Sequence, residues 1–96
     1  MRPSEALQTH RHAIRRIVEA HHASNPRVFG SVLDGSDATG SDLDILIDPT
    51  PETTMFDIGA MRHELKMLLG VSVDILTPKA LPESFRAQVV ARAVPV

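Results

Sequence analysis

Val28-Phe29-Gly30-Ser31 and, ten residues later, Asp42-Leu43-Asp44-Ile45-Leu46-Ile47-Asp48 form the stretch whose reading decides the fold. Arg27-Val28-Phe29 has the make-up of a short strand that breaks at Gly30-Ser31. Leu43 to Asp48 reads as a second strand, expected to end at Pro49 and Pro51. Side chains two apart on a strand share a face. Asp42 and Asp44 therefore stand side by side, while Leu43, Ile45 and Ile47 turn the other way, toward a core. Between the two strands, Val32 to Ser41 carries Gly35 and Gly40 and reads as a short helical turn or loop.

Upstream, Pro3-Ser4-Glu5 reads as a helix start with Ser4 as N-cap. Leu7, His10, Ile14 and Ile17 follow at helical spacing, and the helix is expected to stop near Ala23, because Asn25-Pro26 disfavours its continuation. Downstream, Thr54 opens a helix, with Asp57 three places on in a capping-box arrangement. Ile58, Met61, Leu65 and Leu68 form its buried stripe, and Gly70 suits the position after the last turn. Val71 to Leu76 reads as a third strand, closed by Thr77-Pro78. A last helix is expected from about Pro82, a residue suited to a first helical position, to about Arg92, with Phe85 and Val89 pinning it to the core. The order is α-β-(turn)-β-α-β-α. Three strands against three helices make one small α/β (α+β) domain over residues 1–96.

Composition narrows the function. At 96 residues and 43% hydrophobic, the chain can build one modest core. It has no Trp or Tyr and only three Phe, so that core is aliphatic. A net charge of −2 argues against a strong phosphate-backbone binder. The missing aromatics remove the stacking platforms that grip single strands. Nucleic acid is thus disfavoured as the main ligand. The absence of Cys excludes disulfides and thiolate zinc sites and fits a reducing compartment. No apolar run approaches the ~18 residues of a membrane span, and Met1-Arg2-Pro3-Ser4-Glu5 lacks an apolar signal core. The expectation is a cytoplasmic protein with no membrane partner. His10, His12, His21, His22 and His63 lack an accompanying ligand set and read as solvated. Ile and Val toward both ends leave a homo- or hetero-oligomeric interface open.

The third strand adds a third acid. In Val71-Ser72-Val73-Asp74-Ile75, Asp74 faces opposite to Val73 and Ile75. With Val73 on the same core as Ile45, Asp74 emerges beside Asp42 and Asp44. Three neighbouring carboxylates repel one another and raise their own pKa values. A divalent cation relieves this, and an all-oxygen donor set selects Mg²⁺ or Mn²⁺ over zinc. Gly30 lets the backbone approach a ligand closely. Ser31 offers a hydroxyl, and the residues after it can present N–H groups to an anion. The β- and γ-phosphates of a nucleoside triphosphate would lie on this turn and the α-phosphate over the metals, open to in-line attack by a hydroxyl. Alone, each acid reads as a solvated strand charge and Ser31 as an N-cap; the combination at this spacing points to the site. Two other readings fail. Gly35-x4-Gly40 has P-loop glycine spacing but is followed by Ser41-Asp42. An EF-hand loop begun at Asp37 would need Gly where Asp42 stands.

Gly-Ser-x10-Asp-x-Asp resembles the signature of the DNA polymerase β-like nucleotidyltransferases, and the short run from Val28 to Asp48 looks like their minimal, antitoxin-type branch. The resemblance implies a mixed sheet, Mg²⁺ (two ions) and ATP as substrate. It implies Asp42 and Asp44 as metal ligands, Asp74 as third ligand and base, and Gly30 and Ser31 as the phosphate-holding pair. It also implies a HEPN-domain toxin as partner, with AMP moved from ATP onto its tyrosine. A chain this short leaves the acceptor to arrive on another protein. One departure stands out: many relatives carry Arg a few residues after Gly-Ser, where this chain has Asp34. Lys79, Arg62 and Lys66 are the cations that could meet the triphosphate instead. Two alternatives stay open. One is a module that neutralises a partner by binding alone, for which Asp34 is the best support. The other is a transferase acting on a small hydroxylated molecule such as an aminoglycoside.

Overall fold

The computed structural model describes residues 1–96. Helices α1 (Pro3–Thr9) and α2 (Arg11–Ala20) lead into β1 (Ala23–Phe29), and α3 (Ser31–Asp34) is a single turn. Strand β2 (Leu43–Pro49), helix α4 (Met55–Leu69) and strand β3 (Val73–Leu76) follow. A 3₁₀ turn (Pro78–Ala80), α5 (Glu83–Arg92) and β4 (Val94–Pro95) complete the chain. The sheet order is β3-β2-β1-β4. Strands β2 and β3 run parallel, and β1 is antiparallel to both β2 and β4. The sheet is therefore mixed, as expected, but has four strands rather than three. Two residues, one of them proline, make β4 too short for a periodicity signal, so its pairing with Arg27 and Val28 could not be read from the sequence.

The core lies on one side of the sheet. Leu43, Ile45 and Ile47 of β2 are fully buried there with Val28 and Val73, against Ile14 and Val18 of α2 and Met61, Leu65 and Leu69 of α4. That α4 stripe has a four-residue spacing, one residue off the expected one: Leu69 is buried in place of Leu68, which is exposed. Thr54 caps α4 as read, accepting from the Asp57 amide at 3.1 Å while Asp57 accepts from the Thr54 amide at 2.9 Å. The parallel β2–α4–β3 unit then sets β3 beside β2 with Asp44 opposite Asp74.

Four further expectations are corrected. The N-terminal helix is two helices, broken at His10. The N-cap of α1 is Arg2, not Ser4; the Ser4 amide instead donates to Asp37 at 3.0 Å. Asn25-Pro26, expected to lie between helix and strand, sits inside β1, where Asn25 takes a φ of 53° and the pairing slips between Ser24 and Arg27. An irregularity of this kind accommodates a proline within a strand. Helix α5 begins at Glu83 with Pro82 as its cap, and it buries no residue; Phe85, expected as its anchor, is 43% exposed.

Gly59 stands in the middle of α4, exposed, and a Cβ there would meet nothing within 4 Å. Gly59→Ala should therefore stabilise the domain by about 1 kcal/mol, the helix-propensity difference. A thermal scan should show a rise of roughly 4–8 °C; a fall would mean that α4 needs flexibility at this point.

Candidate functional site

Strand alternation and the parallel register build the site. Burying Leu43, Ile45 and Ile47 forces Asp44 onto the other face, and the β2–β3 register sets Asp74 directly beside it. Asp42 comes just before β2, where the Leu43 amide donates to the Ser72 carbonyl at 2.8 Å and holds the strand entrance closed. Asp42 and Asp74 are exposed and Asp44 is half-buried. Burial, then the charges of Asp74 and Asp42, push the Asp44 carboxyl up to about 6. The three acids read from the sequence are thus brought together on one face. That face is not wholly open: farther along it, Leu46 is fully buried, and the 3₁₀ turn lies against β2.

The Gly-Ser turn meets the same carboxylate. Gly30 has φ 78° and ψ −146°. A Cβ there would overlap Asp44 Oδ2 and lie 3.2 Å from its Cγ. Glycine at this position lets the end of β1 close onto Asp44. Ser31 opens α3 immediately afterwards.

The ten residues between turn and acids have their own anchor, which sequence reading missed. Asp37 is 7% exposed and accepts from the Ser4 amide; that hydrogen bond is the chief cause of its carboxyl lying below the usual range. Ser41 folds the end of the loop, accepting from the Ala38 amide at 2.9 Å. The tie to α1 spans thirty-three positions, so no local pattern announces it.

Asp34 does not stand free beside the turn. Arg92 of α5 pairs with it at 3.3 Å, and both line a cavity of about 310 Å³ that also includes Phe29 and Gly30. Of the expected cations, Arg62 and Lys66 line a second cavity of about 340 Å³ together with Asp42 and Asp74. Lys79 lies in neither, in the 3₁₀ turn. A larger cavity than these two, about 590 Å³ between α1, α3 and β4, contains none of the three acids, so size alone does not locate the chemistry.

The three acids offer a donor set of carboxylate oxygens, and this suits a hard cation. No group of three or more His, Asp or Glu side chains stands in a metal-holding arrangement.

The sequence profile of the nucleotidyltransferase domain matches residues 11–96, nearly the whole chain and every residue of this site. The chain belongs to the nucleotidyltransferase domain family. Membership places it among enzymes. It is similar to a candidate protein adenylyltransferase of Methanocaldococcus jannaschii, 28% identical over 80 residues, which cover 83% of this chain and 86% of that protein. Among solved structures, a candidate minimal nucleotidyltransferase is 36% identical, with a TM-score of 0.86 over 97% of this chain and 95% of that one. A chain of a toxin–antitoxin crystal structure with AMP-PNP shares the fold at 19% identity, with a TM-score of 0.73 over 88% of this chain and 69% of that one.

Proposed function

We propose that this nucleotidyltransferase moves AMP from ATP, with Mg²⁺, onto a hydroxyl of a partner protein, and that it acts as the antitoxin of a toxin–antitoxin pair. The partner it fits is a HEPN-domain toxin and the acceptor a tyrosine. The observation that carries the reading is the Asp44–Asp74 register beside Gly30. The named activity of the M. jannaschii relative and the toxin–antitoxin context of the shared fold support it.

In this reading Asp42, Asp44 and Asp74 hold the metal. Bound there, Mg²⁺ would make the acceptor hydroxyl easier to deprotonate and balance charge on the leaving pyrophosphate. The Asp44 carboxyl, raised by burial and then by its acidic neighbours, fits a site completed by a cation. Gly30 and Ser31 receive the β- and γ-phosphates, and Asp74 accepts the acceptor proton. The Asp34–Arg92 pair offsets the negative charge that Asp34 would otherwise set beside the phosphates.

Incubation with labelled ATP, Mg²⁺ and the cognate toxin should place label on the toxin. Asp42→Ala with Asp44→Ala should abolish both labelling and neutralisation. Neutralisation that survives the double substitution would favour a module acting by binding alone. Label on an aminoglycoside and none on protein would favour a small-molecule acceptor.

A further inference from the structure

The acids have two flanks, and they differ. Across the sheet the order runs from Gly30 at the end of β1 to Asp44 on β2, Asp74 on β3 and then α4. Gly30 abuts Asp44, on one flank. On the other, Arg62, His63 and Lys66 line the 340 Å³ cavity with Asp42 and Asp74, and neither Gly30 nor Ser31 reaches it. None of these three basic side chains forms an ion pair, whereas Arg2, Arg27 and Arg92 each have a carboxylate partner. Their spacing puts them on one face of α4, and Gly59, one turn earlier on that face, also lines the cavity. Gly59 carries no packing contact that a Cβ would disturb and costs α4 about 1 kcal/mol against alanine. It leaves bare backbone where an incoming chain can lie close.

We propose that this basic wall receives the acceptor: an acidic polypeptide segment, with carboxylates flanking the reacting hydroxyl. The proposal rests on the transfer reading above and deepens it. In-line displacement at the α-phosphorus requires attacking and leaving oxygens on opposite sides. With the β- and γ-phosphates on Gly30-Ser31, pyrophosphate departs on that flank. The acceptor oxygen then enters from the Asp74 flank, where the unpaired cations stand. The new bond joins the acceptor oxygen to the α-phosphorus, the α–β anhydride bond breaks, and the acceptor proton goes to the Asp74 carboxylate. Arg62, His63 and Lys66 act as binding residues for the flanking carboxylates.

Three peptides of equal length test this, each with one central tyrosine flanked by glutamates, by serines or by lysines. Peptide binding is read by fluorescence anisotropy, AMP transfer with labelled ATP and Mg²⁺, and ATP affinity by calorimetry. The wild-type protein should prefer the glutamate peptide over the lysine peptide by about tenfold, the effect of two exposed charge pairs. The preference should shrink as salt rises. Arg62→Glu with Lys66→Glu should invert the order, with ATP still bound. Should that variant fold poorly in a thermal scan, Arg62→Gln with Lys66→Gln should level the order instead. Equal binding of the three peptides, loss of ATP affinity in the variants, or tighter binding of a single-stranded oligonucleotide with a free 3′ hydroxyl would each overturn the proposal. Transfer that proceeds without peptide preference sinks the acidic acceptor and leaves the transferase standing. A charge preference that inverts as expected while no peptide takes AMP upholds the acidic docking site and counts against the transfer reading.

Discussion

Asp44→Asn should melt at a higher temperature than the parent protein at about pH 8 in divalent-free buffer, and should lose AMP transfer by at least about a hundredfold. Both effects come from one carboxylate. Burial and the charges of Asp74 and Asp42 raise its folded pKa to about 6, against 3.8 for the unconstrained group. Between those two values the folded state holds more proton than the unfolded one, so stability falls as pH rises through the window and is flat above it. A shift of that size would cost about 3 kcal/mol in full. Solvent screening at a half-exposed site cuts this to about 1 kcal/mol. The amide keeps the shape, removes the charge and should gain roughly 4–8 °C above about pH 6. Below about pH 4 the two proteins should melt together. Parallel pH profiles for both proteins would show that the carboxylates do not strain the fold. Mg²⁺ should raise the melting point of the parent at pH 8 and leave that of Asp44→Asn almost unmoved, since an amide offers no anionic oxygen.

The acids were legible because a strand obeys a period of two: three buried aliphatic residues in β2 left Asp44 no other face to occupy. The sequence also carried the α4 boundaries, through Thr54 and Asp57 at its start and Gly70 at its end. What escaped it depended on partners far along the chain. The anchor of Asp37 is the Ser4 amide, and strand β4 exists only because β1 offers it an edge. Arg92 gains meaning only by meeting Asp34, fifty-eight positions away. Phe85 misled because an aromatic residue at helical spacing reads as core, yet α5 lies over the surface, and Phe85 lines a cavity beside Gly30 instead. Arg62 and Lys66 were visible as free cations, but their place beside Asp42 and Asp74 shows only in the cavity that the four residues share.

Gly30→Ala should destabilise the domain by about 3 kcal/mol, a fall of at least roughly 12 °C in melting temperature, and should weaken ATP binding with it. Two costs combine. A side chain at φ 78° and ψ −146° is strained whatever surrounds it, by about 1–3 kcal/mol. Its Cβ must also displace the Asp44 carboxylate, the group that sits against it. The costs can be separated. Gly35 shares the positive φ, 75°, but with ψ 12° it lies in the milder left-handed helical region, and a Cβ there meets nothing within 4 Å. Gly35→Ala should therefore show backbone strain alone, about 1 kcal/mol, with ATP binding retained. Adding Asp44→Ala to Gly30→Ala removes the collision and should return about 1 kcal/mol relative to the sum of the single changes. Additive single changes would mean that Gly30 serves the backbone only. A coupling of that size would mean that the turn and the acid are one device, in which the missing side chain at position 30 sets where the carboxylate at position 44 can stand.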